Sequence, residues 1–189
     1  MDLPAGLLST PLDSPTDGAA AAPTGMVALD VHVQHQAQDN WCWAAVASTV
    51  STFLAKSSPW SQCAIASAMF PGAQCCEEGS SSACNQRCDL DDALEKTANL
   101  KSPAVNDQVE IADLISELKA GRPVCIRIEW DSGSGHFAMI RGASTDGSGA
   151  GHVMISDPIY KESYHDIGDL NGNYLNGDGR WTDTYYTHA

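Results

Sequence analysis

The spacing of apolar residues changes character once along this chain, and the order of that change limits the folds open to it. Cys42, Ala45, Val46, Thr49, Val50 and Phe53 recur every three or four residues, the period of a helix with one inward face. This helix is expected to run to about Lys56, with Asp39 or Asn40 as its cap. Ser58 ahead of Pro59 predicts a second helix to about Met69, broken by Phe70-Pro71-Gly72. A short helix follows near Leu90 to Ala98. Another spans Asp107 to Ala120, with Asp107-x-x-Glu110 as a capping-box variant, an Ile111, Leu114, Ile115, Leu118 stripe and Gly121 as its stop. From Pro123 onward the pattern is that of strands: Pro123 to Trp130, Gly135 to Arg141, Gly151 to Pro158 and a closing aromatic and β-branched run from Arg180 to Thr187. Only Val27 to Val33, alternating apolar with polar, puts a strand ahead of the helices. Helices first and antiparallel strands second is an α+β order, with N-terminal helices packed on a C-terminal barrel-like sheet.

Two of those strands carry chemistry. Gly135-His136-Phe137 and Ser156-Asp157-Pro158 bracket Ser144-Thr145-Asp146-Gly147-Ser148-Gly149-Ala150, whose Asp-Gly and further glycines are turn residues. A hairpin folded symmetrically about Asp146-Gly147 sets His136 directly opposite Asp157, with Cβ atoms about 4.5 to 5.5 Å apart, within reach of a carboxylate–imidazole hydrogen bond. His152 sits at the turn end instead, far from Asp157. His32, His35, His165 and His188 show no convergent partner.

Cys42 stands at the expected start of the first helix, in Gln36-Ala37-Gln38-Asp39-Asn40-Trp41-Cys42-Trp43-Ala44-Ala45. First-turn amides carry partial positive charge, which favours a reactive thiolate at such a position. A lone cysteine in an Ala/Val-rich helix is more often core, and a lone His-Phe at a strand start is usually structural. Their coincidence with an aspartate and an upstream glutamine is what points to nucleophilic catalysis. Trp41 and Trp43 read as core or cleft wall, and Gln36 competes with an ordinary polar-loop reading.

Taken together, Gln36, the Cys42-Trp43 dipeptide, the His136 strand and Asp157-Pro158 resemble a papain-like cysteine protease. The compact bacterial branch with the pattern Q-x4-WCWAA, which includes effector proteases delivered into plant cells, is the nearest likeness, from about Val27 to the C-terminus. The resemblance implies that Cys42 attacks the scissile carbonyl, His136 is general acid and base, and Asp157 orients it. Gln36 with the Cys42 backbone amide would form the oxyanion hole. His136 and Asp157 follow Cys42 more closely than the ~130 to 150 residues of papain and the cathepsins, so a trimmed second lobe is expected. Asp157 stands where plant papain has asparagine. The same chemistry admits an acyltransferase or deamidase of transglutaminase type, and the cleft alone would serve a non-catalytic peptide-binding module.

Composition sets the remaining bounds. At 189 residues the chain can bury one sizeable core, read as a papain-like domain over 26–189 behind a disordered tail or pro-segment over 1–25, rich in Pro, Ala, Gly, Ser and Thr. A net charge of −14 argues against nucleic acid or an anionic membrane as partner and leaves a protein or peptide substrate, with a monomer expected. Leu7-Leu8 lacks a basic n-region, so secretion or translocation without a conventional signal peptide is expected, the cytoplasm being the alternative. Cys63, Cys75, Cys76, Cys84 and Cys88 crowd a Gly/Ser-rich loop that hydrophobic burial could hardly fold. Without a C-x2-C pair, disulfides are favoured over zinc, and no cofactor or metal is expected. Cys125 reads as a free core thiol.

Overall fold

Burial on every side, rather than a one-sided stripe, governs the first helix. In the computed structural model, which describes residues 25–175 and 177–189, α1 covers Cys42–Leu54 and every residue from Trp43 to Ser51 is buried. A helix sealed all round must satisfy its own polar side chains. Thr49 Oγ1 donates to the Ala45 carbonyl, Ser48 Oγ to the Trp60 carbonyl, and Ser51 pairs with Ser58. Ala44, Ala45 and Ala47 are fully buried, and their small size lets neighbouring elements approach closely. The expected tail over 1–25 falls outside the described residues, Gly25 apart.

One helix cap and two helix starts differ from the expected ones. At α1 the capping position is Trp41, with no side-chain cap, because Asn40 is turned to Asn85: its amide N–H donates to Asn85 Oδ1 and its Nδ2 to the Asn85 carbonyl. α2 covers Gln62–Met69 and is capped by Ser61, whose hydroxyl accepts from the Ala64 amide. Pro59 lies ahead of it, and Ser58 accepts from the Trp60 amide instead. α4 begins at Ile111, not Asp107, because the Asp107 carboxylate is turned to the Gln108 amide. α3 spans Leu90–Lys96 near its expected place. α4 closes as foreseen: Gly121 adopts φ +77°, its N–H donates to the Leu118 carbonyl and that of Arg122 to the Glu117 carbonyl, a Schellman closure.

The strands are β1 (Val27–Ala28), β2 (Val124–Glu129), β3 (Gly135–Thr145), β4 (Gly151–Asp157), β5 (Lys161–Asp166), β6 (Asn171–Tyr174) and β7 (Gly179–Tyr186). They form one antiparallel sheet in the order β5-β4-β3-β2-β7-β6, with β1 pairing the end of β3 that outruns β2. The sheet curls into a half-barrel whose path stays open at β5 and β6. The Val27 to Val33 alternation is kept in burial, Val31 inside and His32 exposed, although only Val27 and Ala28 pair as strand. β5 and β6 fall in the Tyr-, Gly- and Asn-rich tract where sequence patterning shows no element.

Both sheet faces are covered, which explains the unbroken apolar runs of β2 and β3. Phe137, Met139 and Cys125 face a core with α1, α2 and α3, built round Trp41, Trp43, Ile65 and Leu94. Ala138, Ile140, Ile126 and Ile128 face a second core with Leu114 and Leu118 of α4. Burying each such large side chain contributes roughly 1.5 to 3 kcal/mol. Two disulfides, Cys63–Cys76 and Cys75–Cys84, close the loop after α2. Cys88 and the buried Cys125 remain free.

Candidate active site

Between the helices and the open end of the sheet lies a cleft of about 460 Å³, lined on one side by Gln36, Cys42 and Trp43 and on the other by Trp130, His136 and Tyr160. Hydrogen bonds hold the two sides in register. The Gln36 amide N–H donates to the Pro158 carbonyl at 3.1 Å and the Val33 N–H to Ser156 Oγ at 2.8 Å, so the loop before α1 runs beside the end of β4. On the helix side, the indoles of Trp41 and Trp43 donate to the Cys84 and Gln86 carbonyls, which ties the Cys42 turn to the disulfide-closed loop.

His136 and Asp157 do meet, by a different register from the symmetric one. The β3–β4 connection is a five-residue loop, because Asp146 Oδ1 accepts from the Ser148 amide, the Ser148 hydroxyl and the Ala150 amide. That loop shifts the pairing by an odd number of residues, which by itself would put Asp157 on the wrong face. An extra residue at Arg141, between the Ile140↔Ile155 and Gly142↔Met154 pairs, restores the face. Continuing the register past Met139↔Ser156 sets Asp157 across from Ala138 rather than His136, so the two are diagonal neighbours. The imidazole spans the gap: His136 Nε2 and Asp157 Oδ2 are 2.8 Å apart, both side chains buried.

The carboxylate is fully engaged. Asp157 Oδ1 accepts from the amides of Ile159 (2.7 Å) and Tyr160 (2.9 Å), and Oδ2 accepts from the Tyr174 hydroxyl (2.8 Å) as well as facing His136. Burial alone would raise this carboxyl, but the His136 hydrogen bond and charge, with the two amides, hold it below the usual range. Burial likewise pushes the His136 imidazole down, yet the Asp157 hydrogen bond and the nearby Cys42 side chain outweigh it and lift the imidazole to about 9. With Nε2 given to Asp157, Nδ1 is the ring nitrogen left over for the Cys42 side of the cleft. Tyr160 caps the ring edge-on at 5.9 Å.

These shifts fix the sign of a pH effect. The imidazole is raised, so its contribution to stability is complete below pH 6.5 and is lost as pH rises to about 9. Over that window the unfolding free energy should fall as pH rises. The measurement is the difference in denaturant midpoint between the native chain and His136→Ala from pH 6 to 9.5. Parallel curves would show that His136 is not held charged.

Gln36 reaches the cleft but is not idle there. Its Nε2 donates to the Gln38 carbonyl at 3.0 Å and the Asp39 carbonyl at 2.8 Å, while Oε1 is buried without a partner among the described residues. His152 lies at the turn, beside Asp146 and Asp166, away from the cleft. His32 has a partner after all, Glu162, on an exposed edge. Cys88 also lines the cleft, but burial and the adjacent Asp92 and Asp89 push its thiol up to about 11. Tyr174, a lone tyrosine in a Gly/Asn-rich tract, escapes sequence reasoning because only the tertiary fold brings it to Asp157. Among the described residues no cluster of His, Cys, Asp and Glu suits a metal ion, and no helix is long and apolar enough to cross a membrane.

Residues 25–168 match the model of a family described as papain-like cysteine protease AvrRpt2. The chain belongs to this family. The papain-like match ends at residue 168, short of the C-terminus to which the motif resemblance extends, and so leaves β6 and β7 outside it. No curated protein matches the chain. Among solved structures, the Pseudomonas avirulence protein AvrPphB is similar at 15% identity and a TM-score of 0.29, over 53% of this chain and 59% of that one. So low a score adds nothing to the family match.

Proposed function

We propose that this chain is a cysteine endopeptidase that hydrolyses protein or peptide substrates through a thioester acyl-enzyme, with residues 26–189 as its protease unit. The supporting observation is the buried His136–Asp157 bond at 2.8 Å, in a cleft that Cys42 also lines. With the Cys42 proton already held on the raised His136 imidazole, Sγ attacks the scissile carbonyl carbon. The resulting oxyanion is received by the Cys42 backbone amide and by Gln36, which turns one N–H away from its loop carbonyls. Collapse expels the amine, protonated by His136, and leaves the thioester. Water, deprotonated by His136, then attacks, releases the acid and regenerates the thiol. Asp157 keeps the imidazole in the tautomer and orientation both steps need. The two disulfides fit a secreted or translocated protein.

The test is a peptidyl electrophile series with mass spectrometry of the adduct, alongside turnover of unmodified peptides. Cys42 should carry the label, while Cys88, held protonated near neutral pH, and Cys125, sealed in the core, should not. Peptides should yield new termini. Labelling at Cys88 instead, or ammonia release from glutamine side chains with an intact chain, would replace this reading with another.

A further inference from the structure

The geometry points to Tyr174 as a positioning residue of the active site, which acts through Asp157 and rests on the protease reading above. Its hydroxyl donates to Asp157 Oδ2 at 2.8 Å, the oxygen that also holds His136. Asp157 is thereby fixed on both oxygens, by two amides from its own turn on Oδ1 and by two side chains from other strands on Oδ2. Without Tyr174 the carboxylate is anchored only through Oδ1, and the oxygen that aims the imidazole is free to swing about that anchor.

Tyr174 is itself held. It is fully buried, with its ring 6.0 Å from that of Trp130 and 5.1 Å from that of His165. The His165 ring beside it is itself held on β5, with Nε2 2.8 Å from Ser163 Oγ. Burying a phenol beside a carboxylate is unfavourable unless the hydroxyl donates to it, and it does. The residue lies outside residues 25–168, so it belongs to the part of the chain the family model does not cover. The groups facing Asp157 are His136 from β3, Tyr174 from β6, the Ile159 and Tyr160 amides, and Lys161, its cross-strand neighbour on β5.

Tyr174→Phe tests this, since it keeps the ring contacts and leaves no unpaired donor. Two readouts separate positioning from packing. Turnover number should fall about tenfold with the Michaelis constant within about twofold, because a hydrogen bond to a charged group is lost without touching substrate. The Asp157 carboxyl, followed by carbon NMR and needing no substrate, should titrate at higher pH than in the native chain, because one donor to its ionised form is gone. An unmoved carboxyl titration, or a turnover number within about twofold of native, overturns the proposal. Should the native chain cleave no peptide, the protease reading fails by itself, and the carboxyl titration still decides whether Tyr174 controls Asp157.

Discussion

Cys42→Ala should leave the fold intact and reduce peptide turnover by a factor on the order of 10⁶, the loss seen when a triad loses its nucleophile. Cys42 is the first residue of α1 and only half-buried, so removing Sγ opens no sealed cavity and the melting temperature should hardly change. A second effect should accompany the first. Cys42 is one of the groups that raise the His136 imidazole, so its titration should move to lower pH in the variant. Both are measurable on one sample, by steady-state assay and by imidazole NMR. Turnover within about tenfold of native, given the magnitude above, would assign the nucleophile elsewhere.

Gln36→Ala should lower the turnover number by roughly 100- to 1000-fold with a near-native Michaelis constant, the cost of losing one oxyanion donor. The free-enzyme geometry adds a condition. The amide hydrogens point to the Gln38 and Asp39 carbonyls, so one must be redirected as the oxyanion forms. Gln36→Glu should therefore be no better than Gln36→Ala: a carboxylate repels the developing charge and also faces two carbonyl oxygens. Gln34→Ala and Gln38→Ala serve as controls and should stay close to native. A Gln36→Ala enzyme within about threefold of native would place the oxyanion donors elsewhere.

Asp157 shows how the structure sharpens a sequence reading. An asparagine there can also accept from imidazole. The structure puts four donor-bearing groups on the carboxylate, two at each oxygen. An asparagine amide must therefore keep its oxygen toward the Ile159 and Tyr160 amides, and its NH2 then meets His136 and Tyr174, which can face it only by turning acceptor.

The residues themselves determined a great deal. A period near 3.6 followed by β patterning gave helices before an antiparallel sheet, because side-chain spacing is a local property of each backbone form. Gly121 set the end of α4 because its positive φ is open to glycine at little cost. Gln36, Cys42, His136 and Asp157 could be singled out together by residue type and spacing, and the fold sets the first three on one cleft with Asp157 bonded to His136. The tertiary structure alone decided the rest. The cap of α1 and the starts of α2 and α4 moved because Asn40, Ser58 and Asp107 found other partners than the helix amides, one of them Asn85, distant in sequence. The hairpin register turned on a five-residue loop held by one carboxylate and on an extra residue at Arg141, and neither leaves a periodic signal. Tyr174 was invisible for the same reason: a single side chain in an irregular tract gains its meaning only when two strands distant in sequence bring its hydroxyl to a buried charge.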